Sequence, residues 1–161
     1  AEDGGSFRPE HSRFWLYPTH FHEARQPGLK PEFLPLLEEA EASRPPTGTV
    51  RLSHFCEVAA VHRATDLDRV LALDPYHVWT PETIEQRFHY RSSGLFVLLV
   101  RVYSATPVDV PERPEYAGCK TWVRLDPPVE VAAETPVLTT DRFDAIAAKL
   151  ATRLGGISPR V

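Results

Sequence analysis

Apolar runs along the chain alternate with polar segments in a pattern that predicts several strands. Residues 13–18 hold three aromatics in five positions, which is typical of a strand. Residues 95–104 are nearly all apolar, which predicts a strand at the centre of a sheet with both faces covered. Residues 120–126 and 129–132 predict two further strands, separated by Pro127-Pro128.

The longest predicted strand covers residues 49–63. An unbroken pleat would place every second residue on one face, and a strand of this length predicts a bulge near Glu57. The residues on that shared face would be Val50, Leu52, His54, Cys56, Val58, Ala60 and His62.

Two helices are predicted in the first half of the chain. Residues 31–43 begin with Pro-Glu, which suits a first helical turn, and are followed by a Pro-Pro linker. Residues 66–73 predict a short helix capped by Thr65. The buried stripe of the first helix would consist of Phe33, Leu34 and Leu37.

Two more helices are predicted further along. Thr80 followed by Pro-Glu is a strong helix start, and this helix should run to about His89. Asp141–Leu154 has the clearest amphipathic pattern, with Thr140 as its cap and Gly155-Gly156 as its stop. Its apolar stripe would consist of Phe143, Ile146, Ala147, Leu150 and Leu154.

The order of these elements predicts an α+β fold in one domain over residues 1–161. Strands are not separated by regular crossover helices, which disfavours a doubly wound sheet. We expect a small, partly open β-barrel with flanking helices. The chain starts Ala-Glu-Asp and contains no Met, so we expect a piece of a longer protein that lacks the first strands.

Composition narrows the function classes. With 18 basic and 22 acidic residues the net charge is −4, which argues against bulk electrostatic binding of nucleic acid but leaves room for a local basic groove. No apolar run approaches the ~18 residues of a membrane span, and no signal peptide is present. We therefore expect a cytoplasmic protein without a membrane partner. Both cysteines should be reduced, since no CxxC occurs.

The strand at residues 13–18 ends in a polar tip, where rigid scaffolds often place sites. One hypothesis is an aromatic cage for a nucleobase, since stacking is worth roughly 1–3 kcal/mol per base. Its walls would be Trp15, Tyr17, Trp79 and Trp122, and its polar readers Thr19, His20, Arg51 and Ser53. The alternative is that these aromatics belong to the core.

Metal and nucleophile sites are the competing interpretations. His20 and His22, with Glu23 or Glu32, could meet His54, Cys56 and His62 around zinc, although HExxH and paired CxxC motifs are absent. A restriction-type nuclease would need Glu-x-Lys or Asp-x-Lys, and neither occurs. Cys119 lies beside Lys120, which could lower its pKa, but a small buried cysteine in a structural turn is the interpretation that we favour.

A basic track is the last candidate. The segment Arg87-Phe-His-Tyr-Arg91 mixes basic and aromatic residues as nucleic-acid surfaces do, and Arg101 and Lys120 extend the set. The alternative is that these are solvated charges on a helix and its loops.

Six dispersed pieces of the chain carry a resemblance to a known family. The pieces are Phe-Trp-Leu-Tyr-Pro-Thr-His-Phe-His (14–22), Leu-Lys-Pro-Glu (29–32), Val-Arg-Leu-Ser-His-Phe (50–55), Ala-Leu-Asp-Pro-Tyr-His-Val-Trp-Thr (72–80), Val-Leu-Leu-Val-Arg-Val-Tyr (97–103) and Glu-Tyr-Ala-Gly-Cys-Lys-Thr-Trp-Val (115–123). Together, over residues 11–138, they resemble the bacterial family known as domain of unknown function 1802. That family has restriction-type nuclease neighbours, so the resemblance implies nucleic acid and a link to restriction or phage defence.

The order of elements also resembles the PUA-like superfold of the EVE, YTH and ASCH domains. In EVE-type domains the strand tip often reads Tyr-His-Ser, whereas this chain has Tyr17-Pro18-Thr19-His20. That difference leaves base-pocket roles unassigned.

The sequence therefore predicts a nucleic-acid or modified-nucleotide binding module, with a metal-dependent nuclease or hydrolase and a protein-interaction adaptor as alternatives. No catalytic residue, metal or cofactor is assigned, and oligomeric state stays open. The expected ligand-binding residues are Trp15, Tyr17, Thr19, His20, His22, Arg51, Ser53, Trp79, Arg91 and Lys120.

Overall fold

The computed structural model describes residue 9 and residues 11–19, 28–90, 92–117 and 120–155. Four strands in this part of the chain form one sheet in the order β1-β2-β3-β4, and every neighbouring pair is antiparallel. Helices accompany the sheet, so the α+β class is as predicted. The strands are β1 (Arg13–Trp15), β2 (Thr49–Ala64), β3 (Leu95–Pro111) and β4 (Thr135–Pro136).

Strands β2 and β3 form a long hairpin that pairs from Thr49 with Pro111 to Ala64 with Leu95. The pairing register shifts between Leu52 and His54 and again between Val58 and Ala60, so two irregularities flank the single bulge expected near Glu57. The first shift turns His54 outward and makes Phe55 and Cys56 neighbouring buried residues. The face that an unbroken pleat would form is therefore interrupted at His54.

The described sheet does not close into a barrel. β1 and β4 lie at opposite edges and span only three and two residues. The strands predicted at 120–126 and 129–132 are absent, and the described residues 120–134 contain no strand. Two adjacent prolines lack the N–H groups that a ladder needs. Side-chain contacts hold the segment instead, together with a backbone hydrogen bond from the Thr106 N–H to the Ala132 carbonyl at 3.2 Å.

Helices follow the sequence closely. Asp66, not Thr65, caps α2, because its carboxylate accepts from the N–H groups of Asp68 and Arg69. Gly155 ends α4 in the left-handed conformation at φ 76°. The helices are α1 (Leu34–Ala42), α2 (Leu67–Leu71), α3 (Pro81–Phe88) and α4 (Thr140–Leu154), with 3-10 turns at Pro31–Phe33, Asp74–Tyr76 and Pro114–Tyr116.

The stripe predicted for the first helix is not buried. Leu34 is 45% exposed, Leu36 is 59% exposed, and Phe33 and Leu37 are only half-buried. Helical spacing predicts which residues share a face. It does not predict whether another element covers that face.

A hydrophobic core cluster lies where the β2–β3 hairpin meets α2, α3 and α4. Trp79 packs against this core without being fully buried. A β3 strand with both faces fully covered was not found, since its residues 95–105 are all half-buried. The seven buried residues that we call the apolar cluster are Ala64, Val70, Leu73, Ile84, Phe88, Leu150 and Leu154.

Candidate functional site

An open groove of about 1850 Å³ runs beside β1 and α3. All three tryptophans of the chain, Trp15, Trp79 and Trp122, line this groove. Of the other residues predicted to bind a ligand, Tyr17, Thr19 and Lys120 line it as well. The structure thus brings together aromatic and polar residues that lie up to about a hundred positions apart in the sequence.

The remaining predicted ligand residues are placed elsewhere. Arg51 is not among the described groove residues. Its Nε and Nη2 atoms donate to the two carboxylate oxygens of Asp109 at 2.7 and 2.8 Å. That contact raises the pKa of Arg51 and lowers the pKa of Asp109. Ser53 also lies off the groove, with its Oγ 2.9 Å from Nδ1 of His54. His20, His22 and Arg91 lie outside the described residues.

Aromatic contacts fasten β1 to the segment that follows the last 3-10 turn. Phe14 meets Trp122 edge-to-face, with ring centroids 4.8 Å apart and an interplanar angle of 83°. Trp15 meets Phe55 edge-to-face at 5.9 Å, and its Nε1 donates to the carbonyl of Val129 at 3.0 Å. These rings therefore form part of the groove wall while fixing the segment in place.

Tyr17 and Tyr116 make a second aromatic pair, with centroids 6.0 Å apart. The Tyr116 hydroxyl accepts from the N–H of Asp126 at 3.0 Å. The Tyr17 hydroxyl is buried and has no hydrogen-bond partner in the described part of the chain. Burial, followed by the charges of Glu112 and Tyr116, raises the pKa of Tyr17, so this phenol stays protonated at neutral pH.

A buried lysine positions the loop that carries Trp79. Lys30 is 8% exposed, and its Nζ donates to the carbonyls of Asp74 at 2.5 Å and His77 at 2.9 Å. The same Nζ lies 3.0 Å from the Asp74 carboxylate. The backbone N–H of Lys30 donates to the carbonyl of Val78 at 2.9 Å, beside the bridge from Leu29 to Trp79.

Close packing of the next helix completes this wall. A Cβ on Gly28 would lie 2.3 Å from Oγ1 of Thr83, so a larger residue at that position would force the Thr83 side chain to move. Thr80 caps α3 as predicted, accepting from the N–H of Thr83 at 3.4 Å. The Arg87 guanidinium lies 5.2 Å from the centre of the Trp79 ring, a cation–π distance.

Charge is distributed unevenly over the chain. Although acidic residues outnumber basic ones in the sequence, the described groove lining contains four Arg and Lys residues, His11, and no Asp or Glu. The Arg13 guanidinium also reaches Glu134 at 2.6 Å, and Lys120 donates to the carbonyl of Glu115. The four cations are Arg13, Arg87, Lys120 and Arg124.

Sequence reasoning missed Arg13, Gln86 and Arg124 as groove residues. A signal for Arg124 was available, because Lys120-Thr-Trp122-Val-Arg124 alternates basic and aromatic residues at a period of two. Arg101 of the predicted basic track is not among the described groove residues. It lies over the Phe143 ring at 4.6 Å.

The described residues form neither a metal-binding cluster nor a reactive thiol site. No three His, Cys, Asp or Glu side chains of the described residues meet in a way that could hold a metal ion. The predicted donors His20, His22 and Glu23, like Cys119, lie outside the described residues. Cys56 is free and buried, and burial raises its thiol pKa to about 11, which disfavours a thiolate.

None of the described helices has the length and apolar character needed to cross a bilayer.

Comparison with known proteins identifies the family. Residues 1–149 of the 161 match the family described as Domain of unknown function (DUF1802), and the chain belongs to it. No curated protein and no solved structure matches the chain. The resemblance to the PUA-like superfold is not confirmed.

Proposed function

We propose that the chain is a binding module for single-stranded nucleic acid and that the groove is its binding site. The observation that carries this proposal is the composition of the described groove lining, which combines eight aromatic side chains with four Arg and Lys residues and no carboxylate. The chain as a whole has a net charge of −4, whereas the described groove lining carries positive charge. Aromatic rings stack on bases and cations follow the phosphates.

The size of the groove favours a polymer over a single nucleotide. Pockets for small ligands are about 300–1,000 Å³, whereas this groove is open and holds about 1850 Å³. Several nucleotides of a strand would fill it. A strand that contains a modified base offers the same stacking faces and phosphates, so it belongs to the same ligand class.

The mixture of side chains favours single strands over duplexes. Stacking on a protein ring requires an unpaired base and is worth about 1–3 kcal/mol per base. Duplex DNA would present its phosphates to Arg13, Lys120 and Arg124 but would keep its bases away from Trp79 and Trp122. We therefore expect a duplex to bind more weakly than a strand.

Fluorescence titration tests the proposal directly, because all three tryptophans line the groove. Single-stranded DNA and RNA of about 12 nucleotides should quench tryptophan emission saturably, and duplexes of the same sequence less so. Neutralising up to four cations predicts a log–log salt slope of up to about −3 between about 50 and 200 mM salt.

Charge-neutralising variants provide the matched control. Lys120→Gln and Arg124→Gln should each weaken strand binding several-fold. Lys149→Gln, at an exposed position on α4 away from the groove, should leave binding unchanged. Absence of saturable binding by either nucleic acid, or equal weakening by Lys149→Gln, would contradict the proposal.

A further inference from the structure

α3 presents different chemistry to its two sides. Ile84 and Phe88 point into the apolar cluster. Thr83, Gln86 and Arg87, spaced three and four residues apart, line the groove together. Tyr90, just past the helix end, continues that stripe and is 66% exposed. The groove side of α3 therefore offers a hydroxyl, a carboxamide, a guanidinium and a phenol.

The carboxylates of α3 lie off this stripe. Glu82 and Glu85 are exposed and are not among the described groove residues. The helix thus contributes donors and acceptors to the groove without a negative charge, which suits a polyanionic ligand.

Most of the positive charge belongs to a separate part of the groove. Three of the four cations, which we call the cationic wall, are Arg13, Lys120 and Arg124. β1 and the 120–129 segment carry this wall, and the Phe14–Trp122 and Trp15–Val129 contacts join the two. The cation on the α3 side, Arg87, lies over the Trp79 ring and extends a stacking surface.

We propose that the phosphates of a bound strand follow the cationic wall while its bases face α3, where Gln86 selects adenine. This inference rests on the proposed function and assigns base selectivity to one side chain. A carboxamide carries a donor and an acceptor side by side, which matches N6 and N7 of adenine. The same edge of guanine presents two acceptors, O6 and N7, which suit a guanidinium and not a carboxamide. The guanidinium on this stripe, that of Arg87, lies over the Trp79 ring.

The experiment compares strands that are identical except for one central base. Wild-type protein should bind the strand with central adenine about tenfold more tightly than the strand with central guanine. Gln86→Ala should reduce that ratio below about twofold without changing the salt slope. Gln86→Glu should weaken binding to all strands and shift the preference away from adenine.

Control variants separate selectivity from affinity. Lys120→Gln should weaken binding to all four strands by the same factor and reduce the salt slope by about 0.7. Glu85→Gln, on the same helix but away from the groove, should preserve the adenine preference. Both DNA and RNA strands are tested, because the α3 residues are proposed to contact the base and not the sugar.

The outcomes distinguish this inference from the proposed function. If strands bind but all four central bases bind equally, or if Gln86→Ala keeps the adenine preference, base selection by α3 is overturned while the groove stays a nucleic-acid site. If no strand binds at all, both are overturned.

Discussion

The apolar cluster and the groove meet along α3, and they are built from different kinds of residue. The cluster consists mainly of aliphatic side chains that are at most 7% exposed. The described groove lining is rich in aromatics, most of them half-exposed, with rings that meet edge-to-face. Full burial of aliphatic groups stabilises a fold, whereas half-exposed aromatics next to cations are available to a ligand.

Trp79 stands at the boundary between these regions, because it packs against the apolar cluster and also lines the groove. The sequence left core and ligand wall as alternatives for this residue. The structure places it in both environments. The contrast between the regions is therefore best tested with residues that belong to one region alone.

The largest effect is expected from a cavity in the apolar cluster. Phe88 is 4% exposed, and Phe88→Ala should lower the free energy of unfolding by about 3–5 kcal/mol. Tyr90, two residues away and 66% exposed, should change it by less than about 0.5 kcal/mol when replaced by Ala. Urea unfolding measures both values. Comparable losses would show that the groove aromatics stabilise the fold as much as the apolar cluster does.

A smaller loss is expected where the groove depends on a buried charge. Lys30→Met removes hydrogen bonds to two backbone carbonyls, which should cost about 2–3 kcal/mol. It should also shift tryptophan emission and weaken strand binding, because the Trp79 loop loses its anchor. Lys149→Met, at an exposed site on α4, is the control. Stability lost without any change in emission or binding would separate Lys30 from the groove.

Local patterns in the sequence predicted individual elements well. The stripe that ends in Leu150 and Leu154 placed α4 against the core, and Thr80 with the following proline marked the start of α3. Such patterns depend on neighbours within one helix turn or on strand alternation. Closure of the sheet depends on long-range pairing. Residues 120–132 read as strands but make side-chain contacts to β1 instead.

The site was predictable to the extent that its residue types are unusual. Tryptophans beside prolines and polar tips attract notice in a sequence, and Trp15 and Trp79 do line the groove. Arg51 was likewise predicted to contact the ligand, but it pairs with another residue instead. Its partner Asp109 lies 58 residues away across the hairpin, and strand alternation gives the face of an arginine but not what it meets there.

Acid should weaken the loop that Lys30 anchors. His77 is half-buried, and both of its ring nitrogens are shielded from solvent. Burial and then the positive charge of Lys30, partly offset by Asp74 and by the backbone of Trp79, lower the pKa of His77 below its usual 6.5. Just below that pH the unfolded chain binds more protons than the folded one, so the free energy of unfolding falls as the pH falls.

Substitution isolates the contribution of His77. Urea midpoints of wild type should decrease from about pH 7.5 to about pH 5.5, and His77→Gln should decrease less steeply. Other titrating groups contribute to both proteins, so the difference in slope belongs to His77. Parallel curves would mean that folding does not lower the pKa of His77.

The smallest effect on stability and on strand binding is expected at an exposed ion pair away from the described groove residues. Arg51 and Asp109 are nearly half-exposed, at 48% and 44% of their side chains, and ion pairs in water contribute little to stability. Since Arg51 is also not among the described groove residues, Arg51→Gln should change neither the urea midpoint nor strand binding. Lys120→Gln removes one positive charge as well, so the two variants have the same net charge and differ in position. If Arg51→Gln weakened binding as much as Lys120→Gln, overall charge and not the groove would determine affinity.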